Sequence, residues 1–157
     1  MTRRAEGQAA VESALALGIV LLLLFGVMAG AQLLYQYEAV TNGARAGARA
    51  AIVEPTLLGS GSSGLCEPGA ILRAVTAATP DVPVATAPLC QSSADPQELV
   101  QSGAAPGQAI ITVTGTPALS SAPGNRITVT VTLPVSIPPP LPQGNINLQS
   151  SATLATQ

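Results

Sequence analysis

Residues 13–37 carry no charged side chain, and that run restricts the fold more than anything else in the chain. Its 25 residues exceed the roughly 20 needed to cross a bilayer as a helix. Leu21, Leu22, Leu23, Leu24 and Phe25 form its apolar centre. Glu12 stands directly in front of it. An acidic side chain costs about 2.5–3.5 kcal/mol at the middle of a membrane and less near the interface. A carboxylate in this place therefore needs either a partner or water.

The helical pattern does not stop where the uncharged run stops. It continues to about Val53, where Pro55 blocks further helix. A helix over residues 8–53 would hold 46 residues, about 70 Å at 1.5 Å per residue. That is about twice the hydrocarbon thickness of a bilayer. Three readings compete. A cleaved secretory signal would use Arg3 and Arg4 as its basic end and Ala29-Gly30-Ala31 as its small-residue cut site. A plain anchor would simply stay in the membrane. A leader cut on the cytoplasmic side would leave the helix on the mature chain. Glu12 and the length of the helix both argue against the first, and a plain anchor has no need of so long a helix.

The outer half of the helix is patterned. Glu38, Asn42, Arg45 and Arg49 recur at spacings of four, three and four, which makes one polar stripe. Ala39, Gly43, Ala46, Gly47 and Ala50 form a small-residue face, open either to the protein's own head or to a neighbouring helix. Gly26 and Gly30 repeat the small-residue spacing inside the apolar run. Charge does not orient the segment, because Arg3 and Arg4 flank one end and Arg45 and Arg49 the other. The cysteines and the polar remainder favour the C-terminal side outside.

Everything after Tyr37 must fold without aromatic residues, since Phe25, Tyr35 and Tyr37 are the only ones. Such a core is thin and calls for a staple. Cys66 and Cys90 are the candidates. A disulfide is the expected state if this side is exported, with unpaired thiols as the alternative. Two Cys without His are too few ligands for a metal site. Six Arg, no Lys and eight acids leave a net charge of −2, which gives no footprint for nucleic acid.

The head reads as a small α+β unit over residues 65–157, joined to the helix by a Gly/Ser-rich linker over 54–64. One or two short helices and an antiparallel sheet of three to four strands are predicted. A first helix fits residues 68–78, with Pro68 in its first turn and Ile71, Leu72, Val75 and Ala78 on one face. A second is predicted from Asp95, with Asp95 as cap and Glu98 completing a capping box, ending near Gly103. Residues 82–86 suit an edge strand because of Pro83. Residues 109–115, 126–133 and 145–155 follow as strands. Ile127, Val129, Val131 and Leu133 alternate with Arg126 and three Thr, the pattern of a sheet with one wet side. Prolines 138–140 and 142 suggest a stiff connection before the last strand.

Residues 4–17, RAEGQAAVESALAL, resemble the start of a TadE-like pseudopilin, a minor pilin of the Tad (Flp) type IV pilus system. The likeness continues through residues 33–50, where an aromatic patch precedes small residues interspersed with Arg. The resemblance implies a leader over residues 1–7, removed by a prepilin peptidase between Gly7 and Gln8. It implies that Glu12, then the fifth residue, faces the N-terminal ammonium of an adjacent subunit. The helix over 8–53 would span the membrane to about residue 37 and continue as a stalk. Implied partners are other pilins, the prepilin peptidase, the Tad inner-membrane platform and the lipid bilayer. The implied location is the cytoplasmic membrane in a single pass, with the head outside and a place in the pilus open. Ser13 departs from the aromatic that many family members carry after the Glu.

No enzyme is expected, for the chain has no His, no Lys and no nucleophile or phosphate-cradling motif. No cofactor is expected either. The two functions that remain are a structural minor pilin and a membrane-held or pilus-tip adhesin. The absence of aromatics from the head weakens the second as a sugar-stacking platform.

Overall fold

A computed structural model describes residues 3–53, 66, 69–95, 97–117, 119, 123–136 and 144–156, the first five without their side chains. Helix α1 runs Arg3–Val53 and helix α2 Ala70–Ala78. Five strands follow: β1 Leu89–Gln91, β2 Glu98–Gln101, β3 Ile110–Thr116, β4 Arg126–Ser136 and β5 Asn145–Ala155. The chain divides into two compact units, residues 1–35 and 36–157. The architecture is α+β, a long apolar N-terminal helix and a head with a short helix and an antiparallel sheet.

The first unit is helix alone. Its start at Arg3 is earlier than the predicted residue 8. Residues 3–10 explain this, since they offer Arg, Ala, Glu and Gln, all good helix formers, with a single Gly and no Pro. Val11 to Met28 expose their large apolar side chains.

The second unit is built on a five-stranded meander in the order β1-β2-β3-β4-β5, antiparallel throughout. One face carries Leu89, Leu99, Ile111, Val113, Ile127, Val129, Val131 and Leu133, all buried. The C-terminal part of α1 and the Ile71 and Val75 side of α2 complete that core. On the other face threonines stand opposite each other, Thr112 to Thr130 and Thr114 to Thr128. Thr128 and Thr153 hydroxyls meet there at 2.8 Å. The alternation predicted for β4 therefore holds, and the strand extends beyond Leu133 to Ser136. Pro134 is tolerated because pairing with β3 ends at Thr132, so its missing N–H breaks no bond on that side.

Three expectations are corrected. The sheet has five strands rather than three or four. The helix predicted from Asp95 is a hairpin, β1 turning into β2. Asp95 uses the chemistry of a cap, but for a turn: Oδ1 accepts from the Gln97 N–H at 2.8 Å and the Asp95 carbonyl from the Glu98 N–H at 3.1 Å. The Ser92 N–H then reaches the Glu98 carbonyl at 2.8 Å and closes the hairpin. Residues 82–86 form no strand; Val84 makes one parallel bridge with Ala109. There the Ala109 N–H bonds to the Pro83 carbonyl, for which proline needs no N–H of its own. Helix α2 starts at Ala70 behind Gly69, whose φ of 94° favours glycine. Pro68, the linker and prolines 138–140 and 142 lie outside the described residues.

Candidate functional site: the N-terminal helix and its seat in the head

Gly7, Gln8 and Glu12 all lie on the first turns of α1, so the Gly7–Gln8 bond is helical. Gln8 and Glu12 are exposed. The Ser13 hydroxyl donates to the Ala9 carbonyl at 2.9 Å, which satisfies it within the helix. From Gln8 to Val53 the helix is long and apolar enough to cross a membrane. Gly26 and Gly30 are exposed, and a Cβ on either would meet nothing within 4 Å.

Gly43 and Gly47 are placed differently. Both are buried in the second unit. A Cβ on Gly43 would stand 2.8 Å from Thr79 Cγ2 and 3.3 Å from Val75 Cγ1. A Cβ on Gly47 would stand 2.8 Å from Val75 Cγ2 and 3.1 Å from Val129 Cγ1. These glycines let α2 and the sheet approach the α1 backbone. The buried stripe of α1 is Val40, Gly43, Ala44, Gly47, Ala48 and Ala51. Of the predicted small face, Ala39, Ala46 and Ala50 are half-buried flanks. Glu38, Asn42, Arg45 and Arg49 are exposed, as one polar stripe.

Cys66 and Cys90 form a disulfide across 24 residues and pair as an isolated antiparallel bridge at the β1 edge of the sheet. Among the described residues no cluster of metal-ligating side chains occurs.

One structural residue escaped the sequence reading. Gln101 is buried, and its Nε2 donates to the carbonyls of Ala85 and Ala87. Its Oε1 accepts from the Ile111 N–H at 3.1 Å. The amide thus ties an irregular segment to the start of β3. Nothing in a lone Gln on a short strand signals this. The α1 stripe at 40, 44, 47, 48 and 51 does carry a helical period, and it could have been found by ranking Val40 above its small neighbours.

A family model described as TadE-like protein matches residues 7–49. The chain is similar to TadE-like proteins over this segment. The TadE-like segment starts at Gly7, includes Glu12, covers the whole apolar run and ends within the buried stripe of α1. The head lies beyond the match. No curated protein and no solved structure matches the chain. The TadE-like likeness supports a pilin-related protein.

Proposed function

We propose that this protein is a minor pilin-like subunit that takes part in assembling a Tad (Flp) type IV pilus. A prepilin peptidase cuts between Gly7 and Gln8, and the apolar helix stays on the mature chain. The helix holds the protein in the cytoplasmic membrane, with the head outside, until it joins other pilins at the platform. Gln8 then supplies a terminal ammonium, and Glu12 of an adjacent copy neutralises it in a medium of low dielectric. Gly26 and Gly30 allow close helix packing in that medium. The disulfide Cys66–Cys90 suits an oxidising compartment outside the cytoplasm.

The observation that carries this reading is the TadE-like match from residue 7 to 49 on a helix whose apolar part is exposed. So long an uncovered apolar surface is not left in water. Intact mass and N-terminal sequencing of the protein purified from its native membrane test it. The expected chain begins at Gln8. A start at Gln32 means secretion and a start at Met1 a plain anchor; either result overturns the proposal.

A further inference from the structure

Glu38, Arg45 and Arg49 are the charges on the outer half of α1, and all three are exposed. None has an opposite charge three or four residues away on its own helix. Those places hold Leu34, Tyr35, Thr41 and Asn42 around Glu38, and Thr41, Asn42, Ala46, Ala48, Ile52 and Val53 around the arginines. Arg45 and Arg49 are themselves four apart, a like-charge pair that weakens an isolated helix. Among the described residues none of the three makes an ion pair. The head does not use them either. The buried stripe of α1 from Val40 to Ala51 lies about 160° round the helix from them, at 3.6 residues per turn.

The stripe is complementary to itself at one particular shift. Glu38 and Arg45 are seven residues apart, and so are Asn42 and Arg49. Seven residues make about two turns, so the members of each pair share a face and stand about 10.5 Å apart along the axis. Two parallel helices laid stripe to stripe at equal height set Glu38 against Glu38, Arg45 against Arg45 and Arg49 against Arg49. Raising one helix by four residues sets Arg45 against Arg49. Raising it by seven sets Glu38 against Arg45 and Asn42 against Arg49, with no like charges opposed. Raising it by eleven keeps only Glu38 against Arg49.

We propose that this stripe is a register key: it binds the same stripe of an adjacent copy of the chain, parallel to it and raised by about 10.5 Å. The inference rests on the assembly reading above, which sets the helices parallel in one membrane with their heads on the same side. The heads lie on the far sides of the two helices, away from the contact. The union is heterologous, since one copy offers Glu38 and the other Arg45. Exposed ion pairs are weak, so the charges select the height of the contact rather than hold it together. Copies resting at equal height in a flat bilayer repel along this face. The contact forms when one copy is lifted by two turns, as a subunit leaving the membrane would be.

The test expresses two differently tagged copies of the full chain together in the native cell, one with Asn42→Cys and the other with Arg49→Cys. Glu38 and Arg45 stay in place. Mild oxidation of membranes and sheared pili should give a disulfide-linked heterodimer on non-reducing electrophoresis, and little homodimer from Asn42→Cys alone. In the raised register two copies of position 42 differ by about 10.5 Å in height, beyond the reach of a disulfide. Glu38→Arg on both copies should remove most of the heterodimer. Arg45→Glu alone should remove it too, although it relieves the like-charge pair within its own helix. The two substitutions together should restore it. Equal yields of homodimer and heterodimer, or no rescue by the double swap, would overturn the proposal. So would an absence of crosslinks between copies, which would leave the stripe to a different subunit. Intact mass of the same preparation keeps the two readings apart. A chain that starts at Gln8 and fails these tests sinks the register alone, whereas a start at Met1 or Gln32 sinks the assembly reading with it.

Discussion

Gly47 of α1 lies so close to Val75 of α2 that a Cβ there would be 2.8 Å from Val75 Cγ2. Val129 Cγ1 would be 3.1 Å away on the other side. Both obstacles are β-branched side chains of the core, stiff at χ1. Overpacking of this kind costs about 1–3 kcal/mol, while Gly→Ala in a helix returns up to about 1 kcal/mol. Gly47→Ala should therefore destabilise the second unit by about 1–2 kcal/mol. Gly30→Ala, with nothing within 4 Å, should leave its stability unchanged. Denaturant unfolding followed by circular dichroism compares them; an equally stable Gly47→Ala would show that the glycine is not required for close approach.

Gln101 holds three backbone groups together, the carbonyls of Ala85 and Ala87 and the N–H of Ile111. Replacing it with Leu keeps the volume and removes every bond. Each buried group left unsatisfied costs about 1–3 kcal/mol, offset in part by relaxation and water. Gln101→Leu should lower unfolding free energy by about 2–4 kcal/mol. Gln108 makes a comparable bond, Oε1 to the Ala105 N–H at 2.9 Å, but at the surface. Gln108→Leu should cost under about 1 kcal/mol, so the difference between the two variants in a urea titration decides the point.

The contrast between Gln101 and β4 marks how far the sequence can be read. Ile127, Val129, Val131 and Leu133 declare a half-buried strand because one face is apolar and the other is Thr. In β2 the inward residues are Leu99 and Gln101, and the outward ones Glu98 and Val100, so the alternation cancels. The hairpin was hidden for a second reason. An Asx turn and a helix cap use the same carboxylate-to-N–H bond, and only the strands on either side choose between them. The buried stripe of α1 was blurred because Ala and Gly occur on every face of its outer half. Of the candidate site, the apolar run and its leading acid were legible from charge alone. Which small residues meet the head was not, since that depends on where α2 packs.

The disulfide Cys66–Cys90 closes a loop at the margin of a core that contains no aromatic side chain beyond α1. Chain-entropy arguments assign about 3 kcal/mol to a loop of this size. Cys66→Ser with Cys90→Ser should lower the stability of the second unit by about 2–4 kcal/mol, and the wild type in reductant should match the double variant. Melting curves with and without reductant measure it. A melting temperature indifferent to reductant would mean that the sheet and α2 hold the unit without the bond.

Glu12 is exposed on α1, immediately before residues that carry no charge as far as Tyr37. In a membrane its carboxylate is worth keeping only if something neutralises it, because an unpaired acid costs about 2.5–3.5 kcal/mol at the bilayer centre. Removing it should ease insertion slightly and leave the proposed leader site at Gly7 untouched. On the proposed reading it also removes the partner of a neighbour's terminal ammonium, which then sits uncompensated in low dielectric at a cost of several kcal/mol. Glu12→Ala should thus be processed normally yet fail to enter or prime pili, and Glu12→Gln should behave alike because the charge, not the shape, is what pairs. Intact mass of the membrane fraction reports processing, and electron microscopy of sheared pili reports assembly. Normal pilus number with normally processed Glu12→Ala would show that the acid simply rests in water at the interface.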